Sequence, residues 1–227
     1  MIDKKIQVRK IFDSIAFKYD FLNHLLSFGI DHYWRHQALK LTKISHEASL
    51  LDVACGTGDF AIAARKMGVK TIYGADFSKN MLKLFNQKSQ WITGRNFQMV
   101  AERIPIKPAS FTNITVAFGV RNFYNVQEGF NSFFEVLKND GKTTILEFRL
   151  PSNLIFKFIY KFYFKKILPV IGGIISGDKE AYSYLPSSVE EFDEKVNLPE
   201  LLKNSGFRKI EKYSLTLGIV QVIIATK

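Results

Sequence analysis

Leu50-Leu51-Asp52-Val53-Ala54-Cys55-Gly56-Thr57-Gly58-Asp59 is the stretch that decides the fold. Its first half is a short apolar run of strand character, and its second half is a turn too tight for bulky side chains. From Phe60 the pattern becomes helical, with Ala61, Ile62, Ala63 and Ala64 ahead of Arg65. Strand, glycine turn and helix in that order bring backbone N–H groups and a helix N-terminus to one point of approach. A ligand can lie there against bare backbone, because Gly56 and Gly58 carry no Cβ.

Two ligands suit such a turn. Gly56-Thr57-Gly58-Asp59-Phe60-Ala61 satisfies the dinucleotide fingerprint G-x-G-x-x-G/A, and Asp76 lies about 20 residues on, where a ribose-binding acid is expected. Asp52 and Asp59 favour S-adenosyl-L-methionine instead. Asp52 puts a carboxylate at the strand end, which suits a cationic or amino-bearing ligand. Asp59 would set a negative charge against a pyrophosphate at the helix N-terminus. A turn that binds nothing would leave Asp52 and Asp76 without a role. Cys55, inside the turn, reads as a small buried side chain rather than a nucleophile.

Outward from the turn, strands and helices alternate. Strands are predicted over Thr71 to Asp76, Phe97 to Val100, Phe111 to Phe118 and Lys142 to Phe148. Ser78 can cap a helix through Met81, Leu82 and Leu84, and another helix runs from Val126 to Leu137 before an Asn139-Asp140-Gly141 turn. This alternation means a parallel sheet with helices on both faces and a ligand site at the strand C-terminal ends. Phe207 to Tyr213 and Gly218 to Ala225 are only a few residues apart, so they should pair antiparallel.

Residues 3 to 42 read as a helical leader broken at Ser27-Phe28-Gly29-Ile30, with Asp31 as N-cap of the segment carrying Tyr33, Trp34, Arg35 and Leu39. His32 and His36 share a helix face, but without an acidic neighbour they make no metal site, and none is expected. Ser152 to Ser187 interrupts the sheet pattern. Phe156, Phe158, Ile159, Tyr160, Phe162, Tyr163 and Phe164 form a dense aromatic segment, with Lys157, Lys161 and Lys165 on one helical stripe. Lysines among aromatics suit a membrane surface or a greasy substrate; the plainer reading is a helix buried on the sheet with a solvated lysine face. The residues from Ser176 to Tyr182, and Tyr184-Leu185-Pro186 after them, read as a polar loop long enough to be a lid.

Composition sets bounds. The 227 residues fit one domain with appendages, 47% of them hydrophobic and 21 of them Phe, which hints at apolar surface beyond an ordinary core. A single cysteine excludes an internal disulfide and any multi-thiolate metal site, and points to a reducing compartment. Met1 to Lys10 is too polar for a signal peptide, and no apolar window reaches the roughly 18 residues a membrane helix needs. The net charge of +11 suits anionic lipid or nucleic acid.

Several separated stretches resemble one family, the quinone-biosynthesis C-methyltransferases that act on demethylmenaquinol and 2-polyprenyl-6-methoxy-1,4-benzoquinol. They are Phe12-Asp13-Ser14-Ile15-Ala16 with Lys18-Tyr19-Asp20; Leu25 to Asp31 with Trp34-Arg35; Leu51 to Asp59; and Phe118-Gly119-Val120-Arg121-Asn122. Leu146-Glu147-Phe148, Ser176-Gly177-Asp178 with Glu180-Ala181-Tyr182, Tyr184-Leu185-Pro186 and Leu215 to Val220 follow in order. One position departs: Val100 precedes Ala101 and Glu102 where the family has Asp or Asn.

The resemblance implies an α/β class I S-adenosylmethionine-dependent methyltransferase fold, Rossmann-like, with a mostly parallel seven-stranded sheet and an antiparallel last strand. It implies a single domain over 1–227: a helical leader or lid (1–46), a cofactor-binding core (47–150), an aromatic helix and substrate lid (151–195) and the final strands (196–227). It implies methyl transfer to a ring carbon of a polyprenyl hydroquinol, most simply demethylmenaquinol, in a cytoplasmic protein peripheral on the inner face of the membrane. A homodimer is left open. Nucleic acid is not expected as partner, since no RNA-binding module is appended; RNA methylation is the alternative of another class. Arg121 would stabilise a ring phenolate, Asn122 orient the ring oxygen, and Tyr19 or Asp20 relay the proton. Asp76 would hold the cofactor's ribose, Gly56, Thr57 and Gly58 its methionine portion, and Ala101 and Met81 its adenine. Asp52, Ala54, Phe77, Val100 and Ala117 complete that set.

Overall fold

The computed structural model describes residues 20–21, 24–170, 173 and 179–227. Seven strands form one sheet: β1 (Ser49–Val53), β2 (Thr71–Asp76), β3 (Asn96–Gln98), β4 (Phe111–Ala117), β5 (Leu137–Phe148), β6 (Lys209–Leu215) and β7 (Val220–Thr226). Their order across the sheet is β3-β2-β1-β4-β5-β7-β6. β1, β2, β3, β4 and β5 pair parallel, and β7 runs antiparallel to both β5 and β6. The chain order reverses beside β1, which puts a crevice at its C-terminal end, where open α/β sheets bind ligands.

Alternating side chains on the pleat fill two cores. Leu51, Val53, Ile114 and Ile223 point to one face, with Phe130 and Phe133 of α4 (Val126–Val136) packed on them. Leu50, Ile72, Leu146, Val222 and Ile224 point to the other, under Trp34, Ala38 and Leu39 of α1 (Ile30–Thr42) and Phe60 and Ala61 of α2 (Asp59–Lys66). α3 (Lys79–Lys88) starts where Ser78 accepts a hydrogen bond from Met81 N at 3.2 Å, the cap its sequence predicts. α1 is stitched to the far half of the sheet by two side-chain hydrogen bonds, Trp34 Nε1 to Thr216 Oγ1 at 2.6 Å and Thr42 to Thr144 at 2.7 Å.

Four local expectations need correction. Asp31 is not the N-cap of α1: Gly29, in the left-handed region at φ 73°, holds that position. Asp31 lies in the first turn, where its buried carboxylate accepts from Ser27 and Arg35. Asn139-Asp140-Gly141 does not precede β5 but sits inside it. The register jumps from Phe111↔Leu137 to Asn113↔Lys142, so these residues bulge out of the ladder, with Asp140 at φ 59°. Tyr184-Leu185-Pro186 is not a loop but lies within α6 (Lys179–Lys195), with Pro186 inside the helix. Leu185, Val189 and Phe192 recur there at helical spacing and pack inward, and that burial outweighs the one backbone donor proline lacks. Residues 174–178 lie outside those described.

The lysine stripe is the fourth. In α5 (Leu154–Phe162) and the π-helical stretch Tyr163–Ile167, Tyr160, Phe164 and Leu168 are the buried face. Lys161 and Lys165 fold back onto Glu190 of α6 at 2.5 and 2.6 Å. The stripe left in solvent is apolar: Leu154, Ile155, Phe158, Ile159 and Phe162, each more than half exposed. A short α7 (Leu198–Asn204) leads into β6.

Candidate active site

The glycine turn is built from unusual backbone. Ala54, Gly56 and Gly58 all have positive φ, and Cys55 N donates to Ala75 O at 3.0 Å, tying the turn to β2. Gly58, at φ 89°, faces the Phe85 ring of α3, so closely that a Cβ there would enter the ring. Gly58→Ala should therefore lower stability by about 1–3 kcal/mol from overpacking, with further strain from the left-handed backbone. Thermal unfolding checks it: Phe85→Leu in the same chain should recover part of the loss, and an unchanged midpoint would mean the ring yields freely.

Two carboxylates brace the turn from beneath. Asp76, at the end of β2, accepts Gly56 N on one oxygen and Ser78 N on the other, both at 2.8 Å. Asp52, only 1% exposed, accepts from Thr115 Oγ1 of β4 at 2.7 Å and from Ala61 N of α2 at 3.2 Å. The reading of Asp52 as a contact for a cationic ligand is thus replaced by an inward role, joining β1, β4 and α2. Burial pushes its carboxyl up to about 7 despite the Thr115 and Ala61 hydrogen bonds. A native value above the unfolded one means the folded chain holds a proton the unfolded chain has released. Stability from this group should decline as pH rises from about 4 to 7, and Asp52→Asn should flatten that slope in denaturant titrations.

A chain of charges runs over the turn from the leader. Asp20 accepts from Thr57 Oγ1 and, at 2.8 Å, from Lys88 Nζ. Lys88 also pairs with Asp59, which lies 3.6 Å from Arg35, and Arg35 pairs with Asp31 at 2.5 Å. Burial alone would raise the Asp59 carboxyl, but Arg35 and Lys88 bring it below the usual range. Asp59 is therefore a compensated charge, and the repulsion expected against a pyrophosphate loses force. His24, Asp31 and His32 bring ligand-type atoms within 4.8 Å of one another, so an acid does lie beside His32, contrary to expectation; that acid is also paired with Arg35, and His32 stacks on His24. His36 is not part of that group.

The remaining predicted residues lie on neighbouring loops. Ala101 and Met81 are buried, Val100 is exposed, and Phe77 and Ala117 are half-buried. Gln98 Nε2 donates to Phe77 O at 2.8 Å and ties the ends of β2 and β3 together. After β4, a single 3-10 turn carries Arg121 and Asn122. Arg121 is buried; its Nη1 donates to Glu147 Oε1 at 2.7 Å and to Phe118 O at 2.5 Å, while its Nε–H has no partner among the described residues. Asn122 Oδ1 accepts from Tyr184 OH of α6 at 2.9 Å. Glu102 accepts from Tyr124 N and Asn125 N, fixing this turn to the β3 loop. Tyr160 is buried nearby, its hydroxyl without a partner among the described residues; burial raises it, against the pull of Arg121, so it stays protonated. Asp20, a candidate for the proton relay, and Arg121, the candidate phenolate donor, sit in different networks, and Tyr19 lies outside the described residues.

A glycine turn, a buried acid at the end of β2 and an Asp20 carboxylate laid on the turn would suit several enzymes; sequence comparison separates them. The model of the ubiE/COQ5 methyltransferase family matches residues 1–227. The chain belongs to that family. Ubiquinone/menaquinone biosynthesis C-methyltransferase UbiE of Geotalea uraniireducens (strain Rf4) is 41% identical over 233 residues, covering 100% of this chain and 99% of that protein. Demethylmenaquinone methyltransferase of Chlorobaculum tepidum is 40% identical over 224 residues, 97% of this chain and 92% of that protein. Among solved structures, a SAM-dependent methyltransferase of Thermotoga maritima, described as a possible histamine N-methyltransferase, superposes with a TM-score of 0.68 at 16% identity, over 96% of this chain and 99% of the other. That likeness shows the fold. As a ubiE/COQ5 methyltransferase, the protein is a methyltransferase that uses S-adenosyl-L-methionine.

The residues present fit such a cofactor at the Gly56 backbone beside a turn held by Asp76, while the side of Gly58 that a Cβ would take is filled by Phe85. Sequence reading missed Glu147 as the partner of Arg121, Tyr184 as the partner of Asn122, and Lys88 altogether. Glu147 does stand between apolar neighbours at the end of β5, after Ile145-Leu146 and before Phe148, a visible signal. Lys88 has none, being one lysine among many on a helix.

Proposed function

We propose that the protein methylates a ring carbon of a polyprenyl hydroquinol, most simply demethylmenaquinol to menaquinol, at the membrane surface. The observation that carries this reading is the buried Arg121–Glu147 pair, 2.7 Å long, set in aromatic walls of Phe118 and Phe148 and backed by the exposed apolar face of α5. The cofactor supplies an electrophilic methyl group when bound. A ring carbon becomes a competent nucleophile only when a neighbouring hydroxyl ionises, so the chain must favour the phenolate. Glu147 fixes the Arg121 guanidinium, and its unpartnered Nε–H is a donor for the phenolate oxygen. Asn122, oriented by Tyr184, can hold a ring oxygen with its amide N–H. The aromatic walls exclude water and keep the field of that donor strong.

The leader, core, insert and final strands act in this reading as one domain over 1–227, with cofactor contacts at Gly56, Thr57, Gly58, Asp76, Met81 and Ala101. Among the described residues no helix is long and apolar enough to cross a membrane. Contact through the face of α5 instead lets the prenyl tail stay in lipid while the ring enters the site. The names of the relatives support a second substrate of the same chemistry, the benzoquinol precursor of ubiquinone. Extracting quinones from a strain lacking this gene tests both: accumulated demethylmenaquinone supports the first, an accumulated demethylated benzoquinone the second, and neither would overturn the proposal.

A further inference from the structure

Two buried donors in one aromatic cluster lack an acceptor. The Arg121 Nε–H and the Tyr160 hydroxyl have no hydrogen-bond partner among the described residues, and the two residues are only 8% and 4% exposed. An unpaired buried donor is costly, so each calls for a ligand that brings the acceptor. The Tyr160 ring stacks on Phe164 at 4.1 Å, Phe164 meets Phe148 edge-on at 5.8 Å, and the Arg121 guanidinium lies 5.9 Å over the Phe148 ring. The charged groups facing Tyr160 are Arg121, Glu147, Asp193 and Glu190, and each of the three acids is engaged elsewhere. Glu147 holds Arg121 N–H, Arg121 Nη1 and Phe148 N–H; Asp193 holds Leu150 N–H; Glu190 holds Lys161 and Lys165. Tyr160 also stands just ahead of the π-helical stretch Tyr163–Ile167, a rare helix form found often at functional sites.

We propose that the Tyr160 hydroxyl is a second donor to the substrate oxygen that Arg121 stabilises, so that one phenolate oxygen accepts from both orphan groups. This rests on the ring methylation at Arg121 proposed above and adds a residue to it. Two donors on one oxygen favour its ionised form, because an oxyanion accepts both and carries no hydrogen of its own to satisfy. Tyr160 gives up no proton, since burial raises its hydroxyl above the ordinary range and keeps it a donor throughout. The same helix turns Phe158 and Phe162 to the outside, so α5 carries a handle for the ring on its inner face and apolar surface for the tail on its outer one.

Tyr160→Phe tests the proposal, with a short-tailed 1,4-naphthohydroquinol kept reduced as substrate and turnover followed across pH. Its kcat should fall about tenfold or more, and the acid limb of the profile should move up by about one pH unit, because a phenol that loses a donor ionises at higher pH. The Kd for S-adenosylhomocysteine should match the parent's. The thermal midpoint should match or exceed the parent's, since the deleted hydroxyl has no partner to lose. Tyr163→Phe is the contrasting variant. Its hydroxyl donates to Leu26 O at 2.7 Å, so its loss should lower the midpoint by about 2–4 °C and leave the pH profile in place. Parental kcat and pH profile in Tyr160→Phe would overturn the inference. A lowered midpoint with an unmoved acid limb would overturn it too, by making the hydroxyl structural. If the parent methylates neither a naphthohydroquinol nor a benzohydroquinol, the reading beneath the inference fails instead.

Discussion

Arg121→Lys is expected to lower kcat by roughly a hundredfold or more, the effect of losing one preorganised oxyanion donor. The Kd for S-adenosylhomocysteine should stay within about twofold of the parent. Lysine keeps the positive charge beside Glu147, 0% exposed, but it has one donor head where arginine has a fork, and no counterpart of the Nε–H. Arg121→Ala asks a different question. It would strand the Glu147 carboxylate in the core, and breaking a buried pair from one side costs about 3–5 kcal/mol. Glu147→Gln should cost less than Arg121→Ala and still reduce kcat, because the guanidinium loses its anchor. If Arg121→Lys loses cofactor binding together with turnover, Arg121 is structural, and the chemistry moves to Asp20 and Tyr19.

Phe158→Glu with Phe162→Glu should reduce partition onto lipid vesicles by a hundredfold or more, since a fully buried Phe side chain contributes about 1.5–3 kcal/mol. Charge should matter less than the lysine content suggests. Lys161 and Lys165 share the single carboxylate of Glu190, which offsets one of the charges of Lys157, Lys161, Lys165 and Lys166, so a net positive charge remains for anionic lipid. Vesicle sedimentation of the parent should then be stronger on anionic than on neutral lipid, by less than four free lysines would give. Equal sedimentation of parent and double variant would remove the membrane from the proposal. A parent that runs as a dimer and a double variant that runs as a monomer would show the face of α5 covered by a second copy.

Strand positions were legible because a strand's signal is local. Thr71 to Asp76 is recovered residue for residue, and the antiparallel end of the sheet follows from the few residues between β6 and β7. The glycine turn and Asp76 were legible for the same reason, since turn, strand end and acid all lie within one crossover. Part of what failed depends on partners distant in sequence. Nothing near Lys161 reveals that Glu190 will pair with it, whereas the Asp31 cap failed locally, since Gly29 two residues earlier takes the cap and Arg35 one turn later holds the carboxylate. Tyr184-Leu185-Pro186 looks like a turn by its proline, and only the burial of Val189 and Phe192 makes it helix. The exposed face of α5 was misassigned because one helical stripe of lysines and one of aromatics can each face solvent, and the choice is made by Glu190.

The hydrogen bond from Trp34 to Thr216 spans 182 positions of the chain. At the roughly 5–20 residues per second of synthesis, α1 emerges about ten to forty seconds before its partner exists. Until β7 joins β5, the apolar side of α1, with Ala38 and Leu39 fully buried in the finished fold, has only part of its covering. Closing that contact therefore belongs to the end of biogenesis, and a nascent chain stalled before Thr216 should be the form most in need of a chaperone.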